Sequence, residues 1–296
     1  MSNHTPMVMD SECMVCHLQR NVQLAQKMGD EKTATAFAKE LMKLYLSAPE
    51  DVSSPHFAMG TEALLSRFYG LEGDRYREEK EISNRFVLER VDMLRKRVDS
   101  QADPLLAALQ FAILGNYIDF SALRGNVSFE KLDEMLESAL EMELDRQTLE
   151  AFRTDLQNAK RVLYVTDNAG EIGFDRICAE TIARLYPDIA ITFCVRGGNA
   201  MNDATRVDAE AVGIPYPIID NGTCIPGTDL AASNEETKLA FREADVILSK
   251  GMGNVETLLG CGYNVYYAFL VKCSRFQQRF GKPLMTPMLI REKSAE

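Results

Sequence analysis

Three polar clusters carry residue types that could do chemistry together: Asp167-Asn168-Ala169-Gly170-Glu171, then Arg196-Gly197-Gly198-Asn199 running into Asn202-Asp203-Ala204-Thr205, then Ser249-Lys250-Gly251-Met252-Gly253-Asn254. Asp167 beside Asn168 offers a carboxylate and an amide carbonyl from one turn, and Asp203 adds a second carboxylate. Hard divalent cations take such oxygen ligands. Arg196 with the glycines after it suits an anion at a helix N-terminus. Gly251 and Gly253 allow close backbone approach to a phosphate, and Lys250 supplies a point charge for it. Each cluster also has a plainer reading. Asp167, Asn168 and Glu171 resemble a helix N-cap, Asp203 can cap a glycine-rich turn, and Lys272 is of a type usually solvated. The single GxG is neither a Walker A loop nor a dinucleotide fingerprint.

The elements that must position these clusters are short β-rich runs at residues 161–166, 189–195, 245–249 and 264–270. Helical patterns lie between them, near 171–185, 203–212, 233–243 and 254–260. Strands alternating with helices imply a parallel sheet with crossover connections, whose strand C-termini share one edge. The clusters, with Lys272 at the end of the fourth strand, would meet in one crevice there. Asp220, after Pro217-Ile218-Ile219, is either near that edge or part of an Asp-Asn-Gly turn.

Before residue 155 the periodicity is helical, as in Phe37, Leu41, Leu44 and Tyr45, or Phe86, Val87, Arg90, Val91 and Leu94. Ser54-Pro55 and Asp103-Pro104 read as helix starts, glycines 70, 73, 115 and 125 as breaks, and 132–156 as one charged helix. The apolar run 111–120 holds Asn116 and Asp119, a helix-end pair or a roof over the crevice. The expected fold class is α/β: an N-terminal all-helical domain, 1–155, and a Rossmann-like parallel-sheet domain, 156–296.

Composition narrows the function. A chain of 296 residues, 46% hydrophobic, can bury a substantial core, and a net charge of −11 argues against a broad nucleic-acid-binding face. The N-terminus lacks a secretory pattern and the apolar run 265–271 is too short to span a bilayer, so neither export nor a membrane partner is expected. Seven cysteines, an odd and scattered set, fit a reducing cytoplasm. Cys13-x-x-Cys16, followed by His17, reads as an accessory soft-metal or redox pair, or as two buried thiols. Oligomeric state leaves no mark in the sequence.

On these motifs, together with Gly115-Asn116-Tyr117-Ile118-Asp119-Phe120 and Lys272, nearly the whole chain resembles the DUF89 family of damage-control, ARMT1-like phosphatases. Cys13-x-x-Cys16 looks like its prokaryotic subgroup. The resemblance implies metal-dependent hydrolysis of phosphate monoesters, such as sugar phosphates or damaged phosphometabolites. It implies a divalent cation (manganese, nickel, cobalt or magnesium) held by Asp167, Asn168 and Asp203. Asp167, Lys250 and Lys272 are the expected catalytic residues. Asn116, Asp119, Glu171, Arg196, Asn202, Gly251 and Asn254 are the expected substrate contacts. The main alternative is a non-catalytic phosphometabolite-binding or redox-sensing protein that uses the same crevice. A dinucleotide oxidoreductase fits less well, because Asp167 and Glu171 would face a pyrophosphate.

Overall fold

The computed structural model describes residues 7–71, 73–119 and 127–292; Phe120 and Gly125 lie outside the described residues. Three helices come first: α1 (Ser11–Met28), α2 (Glu31–Ser47) and α3 (Ser54–Tyr69). Asp10, Asp30 and Ser53 cap them, each side chain accepting the backbone N–H three residues on. Ser53, rather than the expected Ser54, is the cap of α3, and Pro55 follows in the first turn. Phe37, Leu41, Phe57 and Leu65 form a small core private to these helices.

Next come α4 (Arg77–Leu88), α5 (Val91–Asp99) and α6 (Pro104–Gly115). The α6 sequence is apolar on every face, and a helix of that kind must be enclosed. Leu105 and residues 107–115 are indeed buried. The single helix expected over 132–156 is instead two, α7 (Phe129–Ser138) and α8 (Arg146–Asn158), separated by a 3-10 turn at Ala139–Glu141. The cause is a second start signal: Asp145 accepts from the Thr148 N–H at 2.7 Å and caps α8. Gln110 of α6 stabilises the break by donating to the carbonyls of Leu140 and Met142.

From Arg161 the chain alternates strand and helix: β1 (Arg161–Val165), α9 (Glu171–Leu185), β2 (Ala190–Val195), α10 (Arg206–Ala211), β3 (Ile218–Asp220), α11 (Glu235–Glu243), β4 (Val246–Lys250), α12 (Gly251–Leu258), β5 (Val265–Leu270), α13 (Ser274–Phe280) and β6 (Pro287–Glu292). The six strands run in the order β3-β2-β1-β4-β5-β6, parallel except for β6, so the fold is α/β. The four expected strands are β1, β2, β4 and β5. Neither β3, three residues after a proline, nor the edge strand β6 was legible from pattern.

The chain fills β1 to β3 outward and then crosses back to lay β4 against β1, creating a switch point where a crevice opens beyond the strand ends. The largest apolar cluster runs from Phe86 to Leu289 and continues across residue 155, because α6 packs on α9, β5 and β6. Phe241, Val255, Leu258 and Phe276 cover the opposite face. Helix α3 rests on α12, which brings the small N-terminal core over the strand ends. Asp145→Ala should lower stability by about 1 kcal/mol, typical of a lost N-cap, in a urea titration.

Candidate functional site

Backbone hydrogen bonds hold the first two polar clusters side by side. Asn168 and Asp203 form an isolated antiparallel bridge, Ala204 N–H donates to the Asp167 carbonyl at 2.7 Å, and Ala169 N–H donates to that of Asn202 at 2.9 Å. Gly170 turns the chain into α9 at φ 76°, and its N–H donates to Asn84 Oδ1 of α4. The third cluster closes in through Gly251, also at positive φ, where a Cβ would lie 1.9 Å from Asp167 Oδ2. Only glycine lets that backbone come so near the carboxylate.

Side chains then lock the cluster. Asn116, which caps the C-terminus of α6, donates from Nδ2 to Asp167 Oδ2 (3.0 Å) and Glu171 Oε2 (2.9 Å), and its Oδ1 accepts from Leu270 N–H. Asn168 Nδ2 donates to the same two carboxylates, each at 2.8 Å, while Asn202 Nδ2 donates to Asn168 Oδ1. The amide of Asn168 is thereby held from both ends. Arg196 is buried, with Nε donating to Asp203 Oδ2 at 2.6 Å and Nη1 to Thr228; Nη2 sits 3.6 Å from Asp167 Oδ1.

The two lysines are committed to protein partners. Lys250 is completely buried, and its ammonium donates to Glu171 Oε1 (2.8 Å), Asp175 Oδ1 (2.9 Å) and the Ala112 carbonyl (2.7 Å). This corrects the expectation that Lys250 faces a phosphate: all three of its protons are taken. Lys272 pairs with Asp119 at 2.5 Å and with the Asn116 carbonyl. Asn254, expected to position an ester, is also fully buried and donates to the Thr166 and Lys250 carbonyls, bracing two strand ends.

A cavity of ≈ 200 Å³ opens in front of this cluster. One wall is Asp119, Asp167, Asn168 and Asp203; the facing wall comes from α1 and α3 through Cys13, Cys16, His17, Arg20, Ser54 and Ala58. Cys13-x-x-Cys16 thus borders the same crevice as the carboxylates, which the sequence did not reveal. Also unforeseen were Asp175, one helical turn beyond Glu171, and Asn84. The spacing of Asp175 could have signalled it; Asn84 is distant in sequence and carries no local mark.

Around the strand ends five carboxylates (Asp119, Asp167, Glu171, Asp175, Asp203) meet three cations (Arg196, Lys250, Lys272). Burial, then the charges of Asp203 and Glu171, pushes Asp167 well above the usual carboxylate range. Burial also raises Asp203 to about 6, against the pull of Arg196. Such under-compensated carboxylates suit a divalent cation. One oxygen of each accepts hydrogen bonds, Asp167 Oδ2 from the two amides and Asp203 Oδ2 from Arg196, while Asp167 Oδ1 lies 3.6 Å from Arg196 Nη2. Among the described residues no three His, Cys, Asp or Glu side chains are grouped as metal ligands. A cation here would therefore rely on two carboxylates and amide oxygen.

Lys250→Met should cost roughly 3–5 kcal/mol, since it strands Glu171 and Asp175 without their shared cation; a denaturant titration reads this directly. Burial and nearby Arg20 depress His17 to about 3, so the unfolded chain binds a proton between pH 6.5 and 3 that the folded chain refuses. Stability is then lost as pH falls through that window. His17→Phe should make the urea midpoint fall less steeply between pH 6.5 and 4 than in the parent.

Known proteins are similar to this chain in sequence and fold. Residues 9–286 match the model of the damage-control phosphatase ARMT1-like domain. An uncharacterized protein of Methanocaldococcus jannaschii is 31% identical over 283 residues, 91% of each chain. A damage-control phosphatase of Pyrococcus horikoshii is 29% identical over 291 residues, covering 95% of this chain and 97% of that one. The crystal structure of a DUF89 family protein from Pyrococcus horikoshii superposes with a TM-score of 0.83 at 27% identity, covering 97% of this chain and all of that one. With the family domain extending over nearly its whole length, the chain belongs to the damage-control phosphatase ARMT1-like (DUF89) family.

Proposed function

We propose that the chain is a metal-dependent phosphatase that hydrolyses phosphate monoesters of small metabolites, sugar phosphates or damaged phosphometabolites, at the crevice beyond β1 and β4. Family membership supports a phosphatase role on damaged metabolites. The observation that carries the metal requirement is the pair Asp167 and Asp203, buried next to each other with too few cations around them. A phosphate dianion would be repelled from such a wall unless a cation bridged them.

Asp167, Asn168 and Asp203 would hold the divalent ion, with manganese, nickel, cobalt and magnesium as the candidates. Once bound, it would polarise a phosphoryl oxygen and offset charge as the ester bond breaks. The protein's own part is chiefly geometric. Asn116 and Asn202 fix the Asp167 carboxylate and the Asn168 amide before any ligand arrives, so little reorganisation is needed. Arg196 orients Asp203 and holds a guanidinium nitrogen, without a hydrogen-bond partner among the described residues, 3.6 Å from Asp167 Oδ1. Lys250 acts from behind: by balancing Glu171 and Asp175 it keeps Glu171 an acceptor for Asn116 and Asn168. Lys272 anchors Asp119 at the crevice rim.

Purified protein stripped with chelator should release no phosphate from sugar phosphates or an aryl phosphate, and one of the four metals should restore release. Asp167→Ala and Asp203→Ala should each cut that turnover by roughly 100-fold or more, in the range seen when a preorganised charge-stabilising group is removed. Full turnover in either variant would refute the site. Binding without release under every metal would favour the non-catalytic phosphometabolite-binding reading.

A further inference from the structure

The carboxylate wall accounts for a phosphate and its cation but not for the polar groups that face it. His17 lines the crevice and is 8% exposed. Its Nδ1 contacts the Tyr45 hydroxyl at 2.9 Å, and Tyr45 in turn reaches the Met14 carbonyl at 3.1 Å. Its Nε2 is buried and has no hydrogen-bond partner among the described residues. An orphaned polar atom in an interior is costly, about 1–3 kcal/mol, and calls for an explanation.

Ser54 repeats the pattern. Its hydroxyl, in the first turn of α3, lines the same wall beside the Cys13 thiol; a thiol is a weak acceptor, and the hydroxyl makes no sound hydrogen bond. Both groups belong to the wall that α1 and α3 present to the crevice. Cys13 and His17 sit one helical turn apart on α1, and the His17 ring meets Phe57, one turn beyond Ser54, edge-on at 5.3 Å.

We propose that His17, with Ser54 beside it, reads a hydroxyl group on the alcohol portion of the phosphate ester, so that α1 and α3 form the specificity-determining wall of the crevice. This rests on the phosphatase reading of the opposite wall. A hydroxyl is the group that fits, because it both donates and accepts and so satisfies Nε2 in either tautomer; a carboxylate or an ammonium satisfies only one. Burial holds His17 neutral, which removes an ion pair as the basis of recognition. Arg20, on the same wall one turn along α1, keeps the surroundings cationic and reinforces that neutrality.

The test uses non-hydrolysable probes, propylphosphonate and 3-hydroxypropylphosphonate, titrated calorimetrically into the manganese-loaded protein. The hydroxylated probe should bind about 10-fold more tightly, the worth of one well-placed hydrogen bond. His17→Phe should bring the two probes to within about twofold, His17→Gln should keep part of the preference, and Ser54→Ala should weaken it. A merely structural role for His17 would lower both affinities together and leave their ratio intact. Equal binding by the parent, no binding of either probe, or a preference that survives His17→Phe would each overturn the proposal. Phosphate release from an aryl phosphate, which has no hydroxyl to offer, judges the phosphatase reading separately. Release with equal probe affinities removes only the hydroxyl reading, and a preserved ratio without release removes only the catalysis.

Discussion

Carboxylates withdrawn from water repel one another unless positive charge or hydrogen-bond donors accompany them, and the end of this sheet gathers five. Much of the architecture around the strand ends answers that constraint. Lys250 is driven into the interior to sit between Glu171 and Asp175. Burial alone would discharge it, but the two carboxylates hold it firmly protonated. Glu171, once balanced, can accept from two asparagine amides, and those amides orient Asp167. Asp175 is left with one buried oxygen that has no partner among the described residues, and it is raised to about 7, chiefly by burial. Asp167 and Asp203, which line the crevice in front, are the carboxylates to which the proposed cation is assigned.

Position explains what the sequence could and could not disclose. The strand-ending clusters were visible because each polar run interrupts an apolar one, and parallel topology then obliges them to converge. The direction in which a side chain points was not visible. Lys250 ends β4 and looks like a phosphate ligand, yet the next residue turns at positive φ and the lysine is completely buried. The break between α7 and α8 was hidden because Asp145 is one acid among many in a charged stretch. The edge strand β6 has no alternation, since its burial is intermediate at every position except Leu289.

The facing wall of the crevice was invisible for a different reason. His17 and Ser54 are separated from Asp167 by more than a hundred residues, and tertiary contacts such as the packing of α3 on α12 and the Arg275–Asp10 ion pair bring them near. Cys13 and Cys16 had a recognisable spacing but no indicated location, and their place on the crevice wall comes from tertiary contacts, among them Arg275 reaching Cys13 Sγ. Of the candidate site, the half built on strand ends was therefore legible, whereas the half supplied by tertiary docking was not.

Asn116 joins α6 to Asp167, Glu171 and the backbone of β5, so the roof over the carboxylates is fastened to the sheet itself. Helices α1 to α3 have a core of their own and share less with the rest. The carboxylate wall of the crevice is thus built on the larger core and its opposite wall on the smaller one.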